Sequence, residues 1–160
     1  MESGASAGEH FPECDFDPQK LDLRVRVTLA ANRNAVDPVV AKVMEAVRET
    51  KCVNGKEDAI ELSLQEALAN AVVHGAKEDP TKIIECLVWC DEQRGILIIV
   101  RDPGEGFDAA SIPACTVGEN LYSNHGRGIF LINQLMDEVK FRKGGTEIHM
   151  VKRSISPADR

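Results

Sequence analysis

Along the chain, hydrophobic and polar positions fall into blocks with two distinct periods. Leu21, Leu23, Val25, Val27 and Leu29 alternate with Asp22, Arg24, Arg26 and Thr28, the two-residue period of a half-buried strand. Val39, Val40, Val43, Met44 and Val47 recur at helical spacing, which predicts an amphipathic helix to about residue 50. Asp37-Pro38 ahead of them offers an N-cap followed by proline at the first helical position. Cys52-Val53-Asn54-Gly55 reads as a turn. Leu64, Leu68, Ala71 and Val72 then return at helical spacing within residues 61–75. Asn54-x-x-Glu57 and Asp58-x-x-Glu61 resemble capping boxes, so this second helix opens within residues 55–59. Gly75 stands where a C-cap glycine would close it.

Two strand-like runs follow, 82–91 and 95–101, joined by a short turn at Glu92-Gln93-Arg94. The second run ends in Asp102-Pro103-Gly104-Glu105-Gly106-Phe107, through which neither helix nor strand can continue. Residues 108–125 carry Ala, Ser, Pro, Gly and Asn without periodicity, and so long an irregular connection in a compact domain reads as a lid. A helix is predicted from Gly126, with Ile129, Phe130, Ile132, Leu135 and Met136 as its apolar positions. The acidic pair Asp137-Glu138 near its end is opposite in sign to what a helix C-terminus favours; it reads as solvated charge, with a partner-facing surface as the alternative. A last hairpin, 139–142 and 146–152, turns at Lys143-Gly144-Gly145.

The resulting order is β-α-α-β-β-lid-α-β-β. Adjacent strands in runs, rather than strictly alternating strands and helices, predict an α+β fold. The expectation is a two-layer α/β sandwich, a mixed and mostly antiparallel sheet with helices on one face. Residues 1–20 are rich in Gly, Ser, Glu and Pro and read as a disordered tail. The domain is expected over 21–153, with a short tail at 154–160.

Composition narrows the function classes. The net charge of −7, without a run of Lys or Arg, argues against nucleic acid or an anionic membrane as the main partner. No apolar run approaches the ~20 residues needed to span a bilayer, and no secretory pattern opens the chain. Five cysteines are scattered at 14, 52, 86, 90 and 115, without a Cys-x-x-Cys pair. Neither a zinc site nor a disulfide framework is therefore indicated, and a reduced, cytoplasmic protein is the simplest account. Cys86 and Cys90 would share one strand face, but too far apart to bridge comfortably.

Three polar islands remain. Glu66, Asn70 and His74 stand four residues apart along one side of the second helix; alone, this row could simply be its wet edge. Asp102-x-Gly104-x-Gly106 follows a strand, and Gly126-Arg127-Gly128 opens a helix. Glycines at a helix N-terminus let backbone N–H groups approach an anion, and Arg127 adds a fork of donors for phosphate. Residues 104–109 also fit a G-x-G-x-x-A dinucleotide pattern. That pattern needs a helix to open there, and Pro113 and Gly118 interrupt the stretch, so it is rejected. A P-loop motif is absent.

Taken in order, the islands resemble the ATP-binding domain of the GHKL superfamily, which implies the histidine-kinase-like ATPase fold. Glu66-x-x-x-Asn70 resembles its N box, Asp102-x-Gly104-x-Gly106 its first glycine box and Gly126-Arg127-Gly128 its second. Thr146, on a late strand, matches the threonine of the adenine network. Within that superfamily, Asn70-Ala71-Val72-Val73-His74-Gly75, Met136-Asp137-Glu138-Val139 and the short build are most similar to bacterial anti-sigma factor serine kinases. The resemblance implies ATP and Mg²⁺ as cofactors, with Asp102 and Thr146 at the adenine and Gly104 and Gly106 giving the backbone freedom beside it. It further implies Asn70 on the metal, Gly126, Arg127 and Gly128 at the phosphates, and Glu66 as general base. His74 is left as a helix-terminal residue, since Mg²⁺ prefers oxygen donors. The implied partners are a sigma factor and a small anti-anti-sigma protein of the STAS type, and the family commonly dimerises. Two other readings stay open: a nucleotide-switched binding module without phosphotransfer, and a histidine-kinase catalytic domain. The second of these lacks a phosphoacceptor histidine with its dimerising helices.

Overall fold

A computed structural model describes residues 22–104 and 124–154, the side chains of 22, 23 and 124–127 excepted. The disordered N-terminal tail, the lid up to residue 123, the C-terminal tail after Ser154 and Gly106 are expectations that lie outside the described residues. The elements are β1 (Asp22–Ala30), α1 (Val36–Thr50), α2 (Glu57–Asn70), β2 (Ile83–Asp91), β3 (Gly95–Arg101), α3 (Asn124–Leu135), β4 (Glu138–Arg142) and β5 (Glu147–Arg153). The five strands form one sheet in the order β1-β2-β3-β5-β4. Every pairing is antiparallel, so the mixed character expected from the sequence is absent from the described sheet.

Strand alternation divides the sheet into two faces. Cys86, Val88, Cys90, Ile96, Ile98, Val100, Ile148 and Met150 join the main core with Val40, Val43, Met44 and Val47 of α1 and Ile60, Leu64 and Leu68 of α2. The alternate residues Leu87, Trp89, Leu97, Ile99 and Val151 form a smaller buried cluster on the other face. Helices therefore lie on one side, as the order of elements predicted. Among the described residues no helix is long and apolar enough to cross a membrane.

Helix starts depart from the motif reading. Asn32 accepts from the Asn34 N–H at 2.8 Å and opens a short 3-10 turn, Arg33–Ala35, that runs directly into α1. Asp37 and Pro38 are thus carried inside the first turn, where proline is tolerated because that N–H has no helical partner. Neither capping box forms at α2. Its N-cap position is Lys56, without a side-chain cap, and Glu57 instead reaches back to the Gly55 N–H at 2.9 Å. The helix still starts inside the expected window.

The acidic pair after α3 is engaged within the fold. Asp137 accepts from the Arg153 N–H at 2.7 Å, and Glu138 pairs with the Arg153 guanidinium. Lys152 Nζ donates to the Leu135 carbonyl at 2.6 Å, supplying the positive group that the α3 C-terminus favours. Asp137-Glu138 therefore fastens β4 to β5, which corrects its reading as solvated charge.

Candidate functional site

Between α2, α3 and the ends of β3, β4 and β5 lies a cavity of about 260 Å³. Ala67, Ala71, Val100, Ile129, Phe141 and Ile148 line it with apolar surface, and Asn70, His74 and Asp102 supply polar groups. A mostly apolar cleft with few convergent polar groups fits a flat heterocycle held at one edge.

The carboxylate of Asp102 is built in by backbone on three sides. Its own N–H donates to the Thr146 carbonyl at 2.9 Å. One carboxylate oxygen accepts from the Gly104 N–H at 2.8 Å. A Cβ at Gly75 would fall 2.4 Å from the Asp102 carboxyl carbon, and a Cβ at Gly104 would fall 2.1 Å from the Gly75 carbonyl oxygen. Burial raises the Asp102 pKa above its ordinary value, offset in part by the Gly104 N–H. A half-buried carboxylate with one oxygen so occupied can present the other to an exocyclic amine.

Gly75 accordingly has a different role from the helix cap expected of it. Helix α2 passes into a wider π turn, Ala71–Gly75, marked by the Ala76 N–H donating to the Ala71 carbonyl at 2.8 Å. Among the described residues the left-handed glycines are 55, 95, 144 and 145, so neither Gly75 nor Gly104 is among them. Both are glycine because backbone and carboxylate approach them too closely for a Cβ. The freedom expected of Gly104 is therefore room rather than an unusual backbone angle. Single-turn π insertions recur at functional sites, and this one brings Gly75 under Asp102.

The row on α2 divides as its geometry requires. Glu66 and Asn70 are half-buried, whereas His74 is exposed. A Cβ at Gly128 would lie 3.1 Å from Asn70 Nδ2 and 3.2 Å from Glu66 Oε2. The two side-chain ends therefore meet at one point on α3, and an added Cβ there would press both back by a few tenths of an ångström. Helix α3 begins at Asn124, two residues before the start expected from the sequence. Gly126 and Arg127 remain in its first turn, where backbone N–H groups lack helical acceptors; the Arg127 side chain lies outside the described residues.

Thr146 precedes β5 rather than belonging to it, and its hydroxyl donates to the Lys143 carbonyl at 2.9 Å. Its carbonyl is what touches Asp102. Sequence reading missed the apolar wall of the cavity, although Val100, Phe141 and Ile148 sit on strands whose two-residue alternation assigns them a face. Among the described residues no three His, Cys, Asp or Glu side chains cluster as a metal site. An Mg²⁺ ion that keeps phosphate and water ligands needs only one or two protein oxygens, and the Asn70 amide beside the Glu66 carboxylate meets that requirement.

Residues 29–152 match the histidine kinase-like ATPase domain. The chain is similar to an anti-sigma F factor of Bacillus cytotoxicus, 32% identical over 133 residues that cover 79% of this chain and 80% of that protein. It is also similar to the serine-protein kinase RsbW of Staphylococcus aureus, 34% identical over 103 residues. That match covers 60% of this chain and 64% of the relative, a little under two thirds of its length. The matched domain is an ATPase, which implies ATP binding. With a five-stranded antiparallel sheet backed by helices, the chain belongs to the histidine kinase-like ATPase domain family.

Proposed function

We propose that this chain is a Mg-ATP-dependent serine/threonine protein kinase of the anti-sigma type, with its kinase unit over residues 21–153. In this reading it phosphorylates a small anti-anti-sigma partner of the STAS type and, in its other state, sequesters a sigma factor. The names of its relatives, one an anti-sigma factor and one a serine-protein kinase, motivate both halves. The reading places the protein in the cytoplasm, and a homodimer follows from the family resemblance.

The observation that carries it is the meeting of Glu66 and Asn70 at Gly128. A pure nucleotide binder needs the phosphate site but has no use for a carboxylate aimed at it. Asp102 selects the adenine by accepting from its amino group, and the apolar walls hold the ring. The first turn of α3 receives the phosphates through its N–H groups, with Arg127 adding charge. Asn70 would hold Mg²⁺, which neutralises charge on the phosphates when bound. Glu66 accepts the proton of the partner's hydroxyl as that oxygen attacks the γ-phosphorus and the bond to ADP breaks.

The test follows γ-labelled phosphate from ATP to purified STAS-type proteins of the same cell. Glu66→Gln should reduce transfer by about a hundred-fold or more while ATP affinity, measured by calorimetry, stays within about three-fold. Transfer at the wild-type rate would remove Glu66 as the base. ATP- and ADP-dependent exchange of partners with no transfer to any of them would replace the kinase by a nucleotide-switched binder.

A further inference from the structure

A pair of thiols lies at the opposite end of the core from the nucleotide cleft. Cys52 lies near the start of the turn after α1, and Cys90 sits near the end of β2. They are 38 positions apart in sequence, yet their sulfurs are brought to one place in the fold. One hydroxyl touches both: Thr50 Oγ1 lies 3.1 Å from Cys52 Sγ and 3.6 Å from Cys90 Sγ. That hydroxyl is fixed in turn by donating to the Val47 carbonyl at 2.7 Å. All three described cysteines are reduced.

The pair has an outlet. The two sulfurs lie at the floor of a surface pocket of about 280 Å³ whose rim is Arg24, Glu49, Asp91 and Glu92. Arg24 reaches that rim because the β1–β2 pairing slips there, from Leu23 opposite Trp89 to Val25 opposite Val88, and a bulge re-aims its side chain. We propose that Cys52 and Cys90 form a reversible disulfide under hydroperoxide, a redox clasp between the α1–α2 turn and the sheet. Two sulfurs within 3.6 Å of one hydroxyl are near neighbours already, and a small rotation about each Cα–Cβ bond brings them toward the ~2.05 Å bond.

The chemistry assigns distinct roles. The neighbouring Cys90 thiol outweighs burial and lowers the Cys52 thiol to about 7. The same neighbour raises Cys90, with burial adding to it. Cys52 is therefore the thiol that ionises more readily, and the thiolate is the nucleophile. Its sulfur attacks one peroxide oxygen, the O–O bond breaks, and Cys52 becomes a sulfenic acid as hydroxide leaves. The Cys90 sulfur then attacks the Cys52 sulfur. An S–S bond forms, the S–O bond breaks, and the departing hydroxide takes the Cys90 proton as water. Two thiols have lost two electrons, and the peroxide has become two waters. Cys86 cannot compete, because burial pushes its thiol up to about 12.

The experiment treats the full chain with one equivalent of hydrogen peroxide and maps non-reduced peptides by mass spectrometry. The expected result is a Cys52–Cys90 linked peptide, loss of two titratable thiols and full recovery with dithiothreitol. Linkage through Cys14, Cys86 or Cys115, or overoxidation of Cys52 without a link, would overturn the proposal. In Cys90→Ser, dimedone should trap a sulfenic acid at Cys52 about ten-fold or more faster than at Cys86. In Cys52→Ser, Cys90 should stay unlabelled; label there instead would refute the assignment of the nucleophile. Should either variant fail to fold, the wild-type map decides alone. The outcome is independent of whether the cleft is a kinase site.

Discussion

Gly75→Ala isolates the contact on which adenine recognition depends in the proposed reading. The new methyl would lie 2.4 Å from Asp102 Cγ and 2.5–2.6 Å from its two oxygens, whereas non-bonded contacts settle near ~3.5 Å. The carboxylate must therefore retreat by about 1 Å. Its backbone cannot follow, because the Asp102 N–H is held by the Thr146 carbonyl at 2.9 Å. The side chain turns instead and gives up the Gly104 N–H at 2.8 Å. A hydrogen bond to a charged group contributes about 1.5–3 kcal/mol. Alanine recovers about 0.5–1 kcal/mol of that in a helical turn. The apo protein should thus lose about 1–2 kcal/mol, a fall of roughly 2–8 °C in melting temperature. An adenine amino group facing a displaced acceptor loses a similar bond, so ATP affinity should drop by about ten- to hundred-fold. Calorimetry on a double-mutant cycle with Asp102→Ala checks the cause: in that background Gly75→Ala should cost little further affinity. Wild-type ATP binding by Gly75→Ala, or an undiminished loss in the Asp102→Ala background, would refute the reasoning.

Asp102→Asn removes a carboxylate whose charge burial disfavours, so the melting temperature should hold or rise while ATP affinity falls; calorimetry and thermal denaturation separate the two. Asn70→Ala should abolish the magnesium dependence of ATP affinity, and an unchanged dependence would take the metal away from this residue. Burial alone would raise the Glu147 carboxyl, but the His149 hydrogen bond and the Arg101 charge hold it at about 2, below its ordinary 4.5. Because the folded pKa is depressed, its stabilisation is complete above pH ~4.5 and lost as pH falls toward 2, on the order of 3 kcal/mol. Urea midpoints of the wild type should therefore fall across that window, and those of Glu147→Gln should lack this component.

The strands and helices were legible because each carries one period over a long stretch. Val25, Val27 and Leu29 point into the main core as their alternation requires, and α1 buries Val40, Val43, Met44 and Val47 together. What misled was cap chemistry. Asp37-Pro38 and the Asn54 and Asp58 boxes have the right residues at the right spacing, but Asn32 opens a 3-10 turn that starts the helical run before Asp37, and Glu57 accepts from the Gly55 N–H ahead of α2. A cap motif does not say at which residue the helical run begins. The network in which Arg101 joins Glu147 at 2.6 Å and Glu85 at 3.2 Å was equally hidden. It depends on the register that sets Arg101 opposite both residues, and register is a property of pairs of strands.

The site exposes a sharper limit of sequence reading, and it concerns glycine. Spacing identifies a glycine without saying why the position excludes a side chain. Gly75 looks like a helix cap, Gly104 like a hinge and Gly128 like a phosphate loop. In the fold all three answer one need, close approach: Gly75 to the Asp102 carboxylate, Gly104 to the Gly75 carbonyl, and Gly128 to Asn70 and Glu66. They are the seams along which the three polar islands are brought together. The same logic explains the missed thiols. Cys52 and Cys90 share no motif, and only the seating of the α1–α2 turn against β2 makes them neighbours of one threonine hydroxyl. Motifs name the groups that do chemistry, while the contacts that aim those groups lie between elements distant in sequence. An alanine at each seam therefore tests the site more directly than removal of the groups it aligns, since it displaces them without changing their chemistry.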